Sequence, residues 1–347
     1  MVVDLIEGRY LHDLLDQPSA LQETLDALDM PKDLANLARH LNRGKFERIV
    51  LTGMGSSFHA LHPLDQQLTS HGFTPIMVET SELIHYKAQL FDSKTLIVAV
   101  SQSGMSAEVV RMAKINQHRS PVIAVTNTPK SRLAEHSAVT LLTQAGSEFS
   151  VSCKTYVTAL MVLKWLGDML CERDSTHSLR QLRSTVPALT AYLTNWRAHV
   201  AEVAEILKDI RHLFLVGRGG SLAAVGAGAL IIKESDHFHA EGMSSAAFRH
   251  GPFEMLSAET FVVVFSGDRK TRDLNHRLHA DIRQANGRAE LIGESSSPDC
   301  FRLADCEPGA RPILEILPAQ MITLALAALA GREAGKFERA AKITATE

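Results

Sequence analysis

Short apolar, β-branched runs alternate along the chain with longer segments whose apolar residues recur at helical spacing. The runs predict strands, first at 48–53, 74–79, 95–101, 121–126 and 138–143, then at 212–217, 260–266, 288–293 and 312–316. Segments such as 107–118 and 157–171 have the helical pattern. Regular alternation of strand and helix is typical of parallel sheets covered by helices. The pattern therefore predicts an α/β fold.

Two turns rich in glycine and serine follow strands of the first set. Gly53-Met54-Gly55-Ser56-Ser57 ends the first predicted strand, and Ser101-Gln102-Ser103-Gly104 ends the third. A strand-to-helix turn of this composition directs backbone N–H groups and hydroxyls at an anion. Two such turns on one parallel sheet would surround a single phosphate. Neither turn has the lysine of a Walker P-loop, so a nucleotide-binding P-loop is not predicted.

The second half of the chain begins like the first. Leu213 to Ser221 echoes Val50 to Ser57, with Gly217 lying 164 residues after Gly53. The next strand end follows 48 residues after Gly53 and 49 after Gly217. We infer a duplicated domain with a helical joint near 175–205. The copies are unequal because the second has Ser266-Gly267-Asp268, and Asp268 would repel a phosphate. The first half is therefore predicted to hold the anion.

Composition excludes several classes of function. The 347 residues suffice for two domains, and the formal net charge of −3 with 5% aromatic residues argues against nucleic-acid binding. The four cysteines have no metal-ligand spacing and suggest reduced thiols in a cytoplasmic protein, with no metal or cofactor. The N-terminus has no signal-peptide pattern, and the apolar stretch Met321–Gly331 is too short for a membrane span, which favours a buried helix.

Several further motifs carry a resemblance to a known family. They are Ala145-Gly146-Ser147-Glu148, the block Lys233-Glu234 with His239-Ala240-Glu241 and His250-Gly251-Pro252, and the terminal Ala341-Lys342. Together with the two turns, they resemble the isomerase half of the glutamine–fructose-6-phosphate aminotransferase family, which has tandem sugar isomerase (SIS) domains. The resemblance covers nearly the whole chain. It implies two flavodoxin-like, three-layer SIS domains at 31–185 and 186–330, after a helical segment at 1–30 and before a tail at 331–347.

The resemblance also implies roles for individual residues. Phosphate oxygens would be bound by Ser57, Ser101, Gln102, Ser103 and Ser106. Sugar hydroxyls would contact Ser56 and the backbone near Val151 and Ala341. Glu234 would move a proton between C1 and C2, His250 of a neighbouring subunit would open the ring, and Lys342 would form a Schiff base with the ketose. The expected assembly is thus a homodimer with shared active sites.

The chemistry of aldose–ketose interconversion needs these residue types. One carboxylate can remove a proton beside a carbonyl and return it to the next carbon. Histidine suits ring opening near neutral pH, and lysine can stabilise the oxyanion or form an imine. Taken alone, each has a plainer explanation: Glu234 would lie on a solvated helix face, His250 at a helix end and Lys342 on the surface.

The chain departs from the family at three places. Val2 follows Met1 where the family has the cysteine of a glutaminase domain, Ile231 replaces a lysine, and Lys154-Thr155 reverses a family pair. Without an ammonia source, the leading hypothesis is an amino-sugar-phosphate deaminase, a hydrolase converting glucosamine 6-phosphate to fructose 6-phosphate and ammonia. A plain aldose–ketose isomerase, a fructosamine-6-phosphate deglycase and a non-catalytic sugar-phosphate sensor stay open. The expected partner is a small sugar phosphate, with no nucleic acid or membrane.

Overall fold

The computed structural model describes residues 6–307, 309–339, 341–344 and 346. The described residues form two compact units. The first unit, which contains the two glycine- and serine-rich turns, comprises Ser19–Ser147, Lys154–Arg183 and Arg339–Glu347. The second unit comprises Met1–Pro18, Glu148–Cys153 and Ser184–Glu338. Each unit contains one parallel sheet.

The sheet of the first unit follows the predicted apolar runs to within one residue at either end. Its strands are β1 Arg48–Gly53, β2 Pro75–Glu79, β3 Thr95–Val100, β4 Val122–Thr126 and β5 Val139–Leu142. They are parallel, in the order β2-β1-β3-β4-β5. Every residue of β3 is buried, as expected for a central parallel strand covered by helices on both faces.

The helices follow the strands where the spacing of apolar residues changes from that of a strand to that of a helix. Up to residue 183 the helices are α1 Arg9–Leu15, α2 Gln17–Asp26, α3 Lys32–Asn42, α4 Gly55–His59, α5 His62–Ser70, α6 Thr80–Tyr86, α7 Ala107–Asn116, α8 Arg132–Glu135, α9 Lys154–Leu170 and α10 Ser175–Arg183. A short 3₁₀ turn spans Ala88–Leu90. Helix α7 packs Val109 and Met112 against Ile97 and Ala99 of β3 in one apolar cluster. This packing fixes the turn that joins β3 to α7.

The second unit repeats the strand order of the first, which confirms the predicted duplication. Its strands are β6 His212–Gly217, β7 Ala240–Ser244, β8 Thr260–Phe265 and β9 Arg288–Ile292, in the order β7-β6-β8-β9. The remaining helices are α11 Thr185–Thr194, α12 Trp196–Ile206, α13 Leu222–Asp236, α14 Ser245–Arg249, α15 Arg272–Gln284 and α16 Arg311–Leu329. Further 3₁₀ turns span Gly219–Ser221, Pro252–Met255 and Asp299–Phe301.

The strand predicted at 312–316 is wrong, because these residues form the first turns of α16. Pro312 suits the first turn of a helix, and nearly every side of α16 is buried, so the segment has no helical period that a sequence pattern could reveal. Strand β7 has no apolar run that would predict it, because it is an edge strand that contains Gly242 and is largely exposed.

Helix α16 is long and apolar enough to cross a membrane by length and composition. The buried stretch predicted at Met321–Gly331 lies mostly within it. However, 89% of its apolar window is buried inside the protein, and α16 packs on α13, α12 and α11 of its own unit. Burial of this kind is that of a core helix.

Candidate functional site

The two glycine- and serine-rich turns lie side by side at one edge of the first sheet. Strands β1 and β3 are adjacent and parallel, and Gly53 is paired with Val100 at their carboxyl ends. The chain leaves β1 towards β2 on one side and continues from β3 towards β4 on the other. Such a point, where strand order reverses, is where ligands bind in open α/β sheets. We call residues 53–57 and 101–106 the first cradle.

The turn after β1 presents two serine hydroxyls. Met54 is extended, Gly55 has a φ of 52°, and the chain then enters the short helix α4 with Ser56 and Ser57. Both serines are half-buried, and within the described part of the chain neither hydroxyl has a hydrogen-bond partner. Two hydroxyl donors thus remain available to a bound anion at this edge.

The turn after β3 is held by its own side chains. Ser101 Oγ accepts from the Gly104 amide at 3.1 Å, and Ser103 Oγ accepts from the Met105 amide at 3.2 Å. Each of the two serines is 8% exposed. A hydroxyl that accepts one hydrogen bond still has its own proton to donate. The turn is therefore shaped before a ligand arrives and retains its donors.

Gly104 gives this turn its tight curvature. Its φ of 60° is in the left-handed region that favours glycine. A Cβ at this position would lie 2.6 Å from Ser131 Cβ and closer still to Ser131 Oγ. Ser131 is itself fixed, because it is buried and its Oγ accepts from the Ala134 amide at the start of α8. The loop therefore needs glycine for both conformation and space.

Asn127, which the sequence analysis did not single out, joins the cradle to the strand next to it. Its amide donates to the Gln102 carbonyl at 3.0 Å, and Thr126 Oγ1 donates to the same oxygen at 3.2 Å. Asn127 Oδ1 accepts from the Ala145 amide at 2.8 Å, while Nδ2 donates to the Gly146 carbonyl at 2.7 Å. Its position directly after an apolar strand was the one signal that the sequence offered.

The chain's C-terminal segment belongs to the same unit as the cradle. Ser106 is the N-cap residue of α7, and the next amide, that of Ala107, donates to the Thr344 carbonyl at 3.2 Å. Lys342 precedes Thr344 by two residues, so their Cα atoms are at most about 7 Å apart. Lys342 is half-buried and Ala341 is exposed. The structure thus brings Lys342 to the end of α7 that adjoins the cradle.

The other predicted residues lie in the second unit. Val151 is buried in a turn closed by Glu148, whose Oε1 accepts from the Cys153 amide at 3.0 Å. Glu234 is half-buried near the end of α13, and Lys233 beside it is exposed. His250 is exposed at the C-cap of α14, with its amide bonded to the Ala247 carbonyl at 2.9 Å. The plain interpretation of His250 as a helix-end residue matches this local position.

No lysine or arginine lies within the cradle turns themselves. A bound phosphate would be met by amides, hydroxyls and the positive end of α7.

Titratable groups near the cradle respond to burial. Beyond α4, burial lowers the pKa of His62, which favours its neutral form, and burial raises the pKa of Asp65. Across the described ranges, no group of three or more histidine, cysteine or carboxylate residues could hold a metal ion. Among these residues the cysteines are free thiols, and burial raises the pKa of Cys171 to about 11.

Comparisons with known proteins agree with the duplicated fold. Residues 44–167 and 206–330 match the family model described as SIS domain. The glutamine–fructose-6-phosphate aminotransferase (isomerizing) of Thermococcus kodakarensis is 30% identical to this chain. The aligned region covers 97% of this chain but only 58% of the length of that protein.

Two solved structures share the fold. One is the C-terminal domain of glucosamine-fructose-6-phosphate aminotransferase from Francisella tularensis, with a TM-score of 0.78 at 20% identity, covering 95% of this chain and 98% of that one. The other is glucosamine-6-phosphate deaminase from Thermotoga maritima, with a TM-score of 0.75 at 17% identity, covering 98% of this chain and 100% of that one.

Proposed function

The chain belongs to the SIS domain family, and on that premise we propose that it is an enzyme that moves a proton between C1 and C2 of a hexose 6-phosphate. The leading reaction is hydrolytic deamination of glucosamine 6-phosphate to fructose 6-phosphate and ammonia. The observation that carries the proposal is the first cradle, where two preformed turns offer serine hydroxyls at the switch point of a parallel sheet. A phosphate is the anion that such a cradle suits best.

The cradle would hold the substrate by its phosphate, far from the reacting carbons. Ser57, Ser103 and Ser106 donate to phosphate oxygens, with Ser101 and Gln102 completing the turn. Ser56 and the backbone at Val151 and Ala341 contact sugar hydroxyls. Anchoring the phosphate turns proton transfer at C1 and C2 into a step between positioned groups, which is a large part of what such an enzyme supplies.

Glu234, His250 and Lys342 would then act on the sugar. His250 transfers the proton that opens the ring, and the Glu234 carboxylate takes the proton from C2 and returns it to C1. For glucosamine 6-phosphate this gives a ketimine at C2. Water adds to that carbon, ammonia leaves, and fructose 6-phosphate remains. Lys342 would act at the carbonyl end, and the Ala107–Thr344 hydrogen bond, which holds the C-terminal segment in the first unit, supports its inclusion in the site.

Deamination is the leading candidate among the reactions of this class, and a glucosamine-6-phosphate deaminase is among the proteins that share the fold. A plain aldose–ketose isomerase and a fructosamine-6-phosphate deglycase would use the same proton transfer and differ in the group that leaves. Incubating the purified chain with glucosamine 6-phosphate, with ammonia and fructose 6-phosphate both measured, separates these reactions. Fructose 6-phosphate and ammonia in equal amounts are expected. Interconversion of ketose and aldose phosphates without ammonia would contradict deamination.

A variant of Glu234 tests the assignment of the base. Glu234→Gln should lose most turnover, by a factor of about 10² or more, and retain sugar-phosphate binding, because removing a general base affects the proton transfer rather than the anchor. Lys233→Gln is the matched control, since Lys233 is exposed on the same helix, and it should keep full activity. A wild-type chain that binds sugar phosphate without turnover of any of these substrates would instead favour the sensor.

The shared-site homodimer is a further part of the proposal. His250 is exposed in the single chain, which suits a residue that completes a neighbour's site. Mixing inactive Glu234→Gln and His250→Ala chains would then form dimers in which one site has both residues intact. Recovery of activity on mixing is the expected result. No recovery, or full activity of a chain that sediments as a monomer, would contradict shared sites.

A further inference from the structure

The backbone of the first cradle is repeated in the second unit. Arg218, which occupies the place of Met54, is extended, and Gly219 has a φ of 58° against 52° for Gly55. The offset of 164 residues then places Ser221 where the first unit has Ser57. The second unit thus has a turn built to expose the same hydroxyl at the same strand end. We call Arg218–Ser221 and residues 266–271 the second cradle.

The hydroxyl of Ser221 is already engaged by the protein. It donates to Oε1 of Glu315 at 2.9 Å, and Glu315 extends from α16 with an exposed fraction of only 1%. Ser57, in contrast, has no such partner among the residues that the structure describes. At the place where a phosphate oxygen would accept from the first cradle, the second cradle has a carboxyl oxygen of its own chain.

A second carboxylate engages the other turn. Six residues separate β8 from α15, as six separate β3 from α7, and Asp268 stands at the place of Ser103. Asp268 Oδ1 accepts from the amides of Lys270 at 3.0 Å and Thr271 at 3.3 Å, and from the Thr271 hydroxyl at 3.4 Å. These donors point inward to an aspartate, so the loop is closed on its own side chain.

We propose that the second cradle is an anion site occupied by the chain's own carboxyl groups, and that Glu315 and Asp268 thereby confine sugar-phosphate binding to the first unit. The inference rests on the proposed function, because it takes the first cradle to be the phosphate anchor. Glu315 then determines which half of the chain binds substrate. The proton transfer at C1 and C2 does not require this role.

The groups around Glu315 support an anion site. Arg311 makes an ion pair with Glu294, and Arg272 lies 3.3 Å from the same carboxylate. The Nε atoms of both arginines and Oε2 of Glu315 are buried without a hydrogen-bond partner in the described part of the chain. Without Glu315 and Asp268, two guanidinium groups would face a single carboxylate, so the emptied cradle would carry positive charge and retain unpaired donors.

Phosphate stoichiometry tests the inference, with inorganic phosphate as the probe in isothermal titration calorimetry. The wild-type chain should bind one phosphate, and the double variant Glu315→Ala with Asp268→Ser should bind two. Asp273→Ser is the control, because it removes an exposed charge from the first turn of α15 without opening the loop, and it should still bind one. A double variant that gains no site, or a control that gains one, would overturn the inference.

A variant outside the second cradle tests the same point in a chain whose Glu315 and Asp268 are intact. Ser57→Ala should weaken phosphate binding at the first cradle, and adding Ser221→Ala should leave the remaining affinity unchanged, because the second cradle is closed. Residual binding that is lost on adding Ser221→Ala would overturn the inference by showing that cradle open. Failure of the proposed function is distinguishable: the wild type would then bind no phosphate, while the Glu315 and Asp268 double variant would gain its site regardless.

Discussion

Gly104→Ala should both destabilise the first unit and weaken phosphate binding by the first cradle, although it adds only one methyl group. The substitution adds one methyl group at a φ of 60°, and that methyl would lie 2.6 Å from Ser131 Cβ. Ser131 is buried and caps α8, so it has little freedom to move. Relief of the overlap would shift the 101–106 turn, and with it the donors that we propose for the phosphate.

The cost has two parts, and a second glycine separates them. An alanine in the left-handed region costs about 1–2 kcal/mol through its own backbone. Crowding a packed site costs about 1–3 kcal/mol more. Gly44 has a φ of 73°, and no atom of the described residues lies within 4 Å of the place that a Cβ would take, so Gly44→Ala bears only the first cost. We therefore expect Gly104→Ala to be destabilised by about 2–5 kcal/mol and Gly44→Ala by about 1–2 kcal/mol.

Urea unfolding followed by tryptophan fluorescence measures both costs in the unit that contains these glycines. Trp165 lies in α9 of the first unit and Trp196 in the second, so a Trp196→Phe background leaves a probe of the first unit. Phosphate affinity measured on the same proteins should fall for Gly104→Ala and stay unchanged for Gly44→Ala. Equal destabilisation of the two variants, or unchanged phosphate binding by Gly104→Ala, would refute the reasoning.

Three further predictions concern other parts of the chain. Burial raises the pKa of the Glu315 carboxyl from 4.5 to about 7. Between these pH values the folded chain holds a proton that the unfolded chain releases. The free energy of unfolding therefore falls by about 3 kcal/mol as pH rises from 4.5 to 7. Glu315→Gln cannot lose that proton, so its denaturation midpoint should vary less across the same interval, and parallel wild-type and variant profiles would contradict the assignment. Asn127→Ala should weaken phosphate binding, because it removes the side-chain bonds to the Ala145 amide and the Gly146 carbonyl beside the cradle, and an unchanged calorimetric affinity would argue against a positioning role. Gln320→Leu leaves Oε1 of the buried Gln17 without its donor and should cost about 1–3 kcal/mol, while the Gln17→Leu, Gln320→Leu pair should cost less, as denaturant titration of the wild type, the two single variants and the double variant would show.

The strands and turns that carry the proposed phosphate site were predictable because they depend on local pattern. Apolar runs of five or six residues ending in glycine and serine have few alternative structures, and the first-unit strands lie where the pattern placed them. The error at 312–316 has the opposite origin. A helix that is buried on nearly all sides has no polar face, so its apolar run resembles a buried strand until the fold shows what surrounds it.

The sequence by itself determined the α/β class, the duplication and the pair of turns, because each rests on the order of residue types along the chain. The order of residues also placed Asp268 in the second copy, but only the tertiary structure showed that Glu315 occupies it. Ser57 and Ser221 have similar local sequences. Glu315, 94 residues after Ser221, accepts a hydrogen bond from the Ser221 hydroxyl, whereas no carboxylate among the described residues does so for Ser57. Likewise, the bond from Ala107 to Thr344 brings Lys342 to the cradle. Contacts between residues so far apart depend on how the helices pack, and no local pattern encodes them.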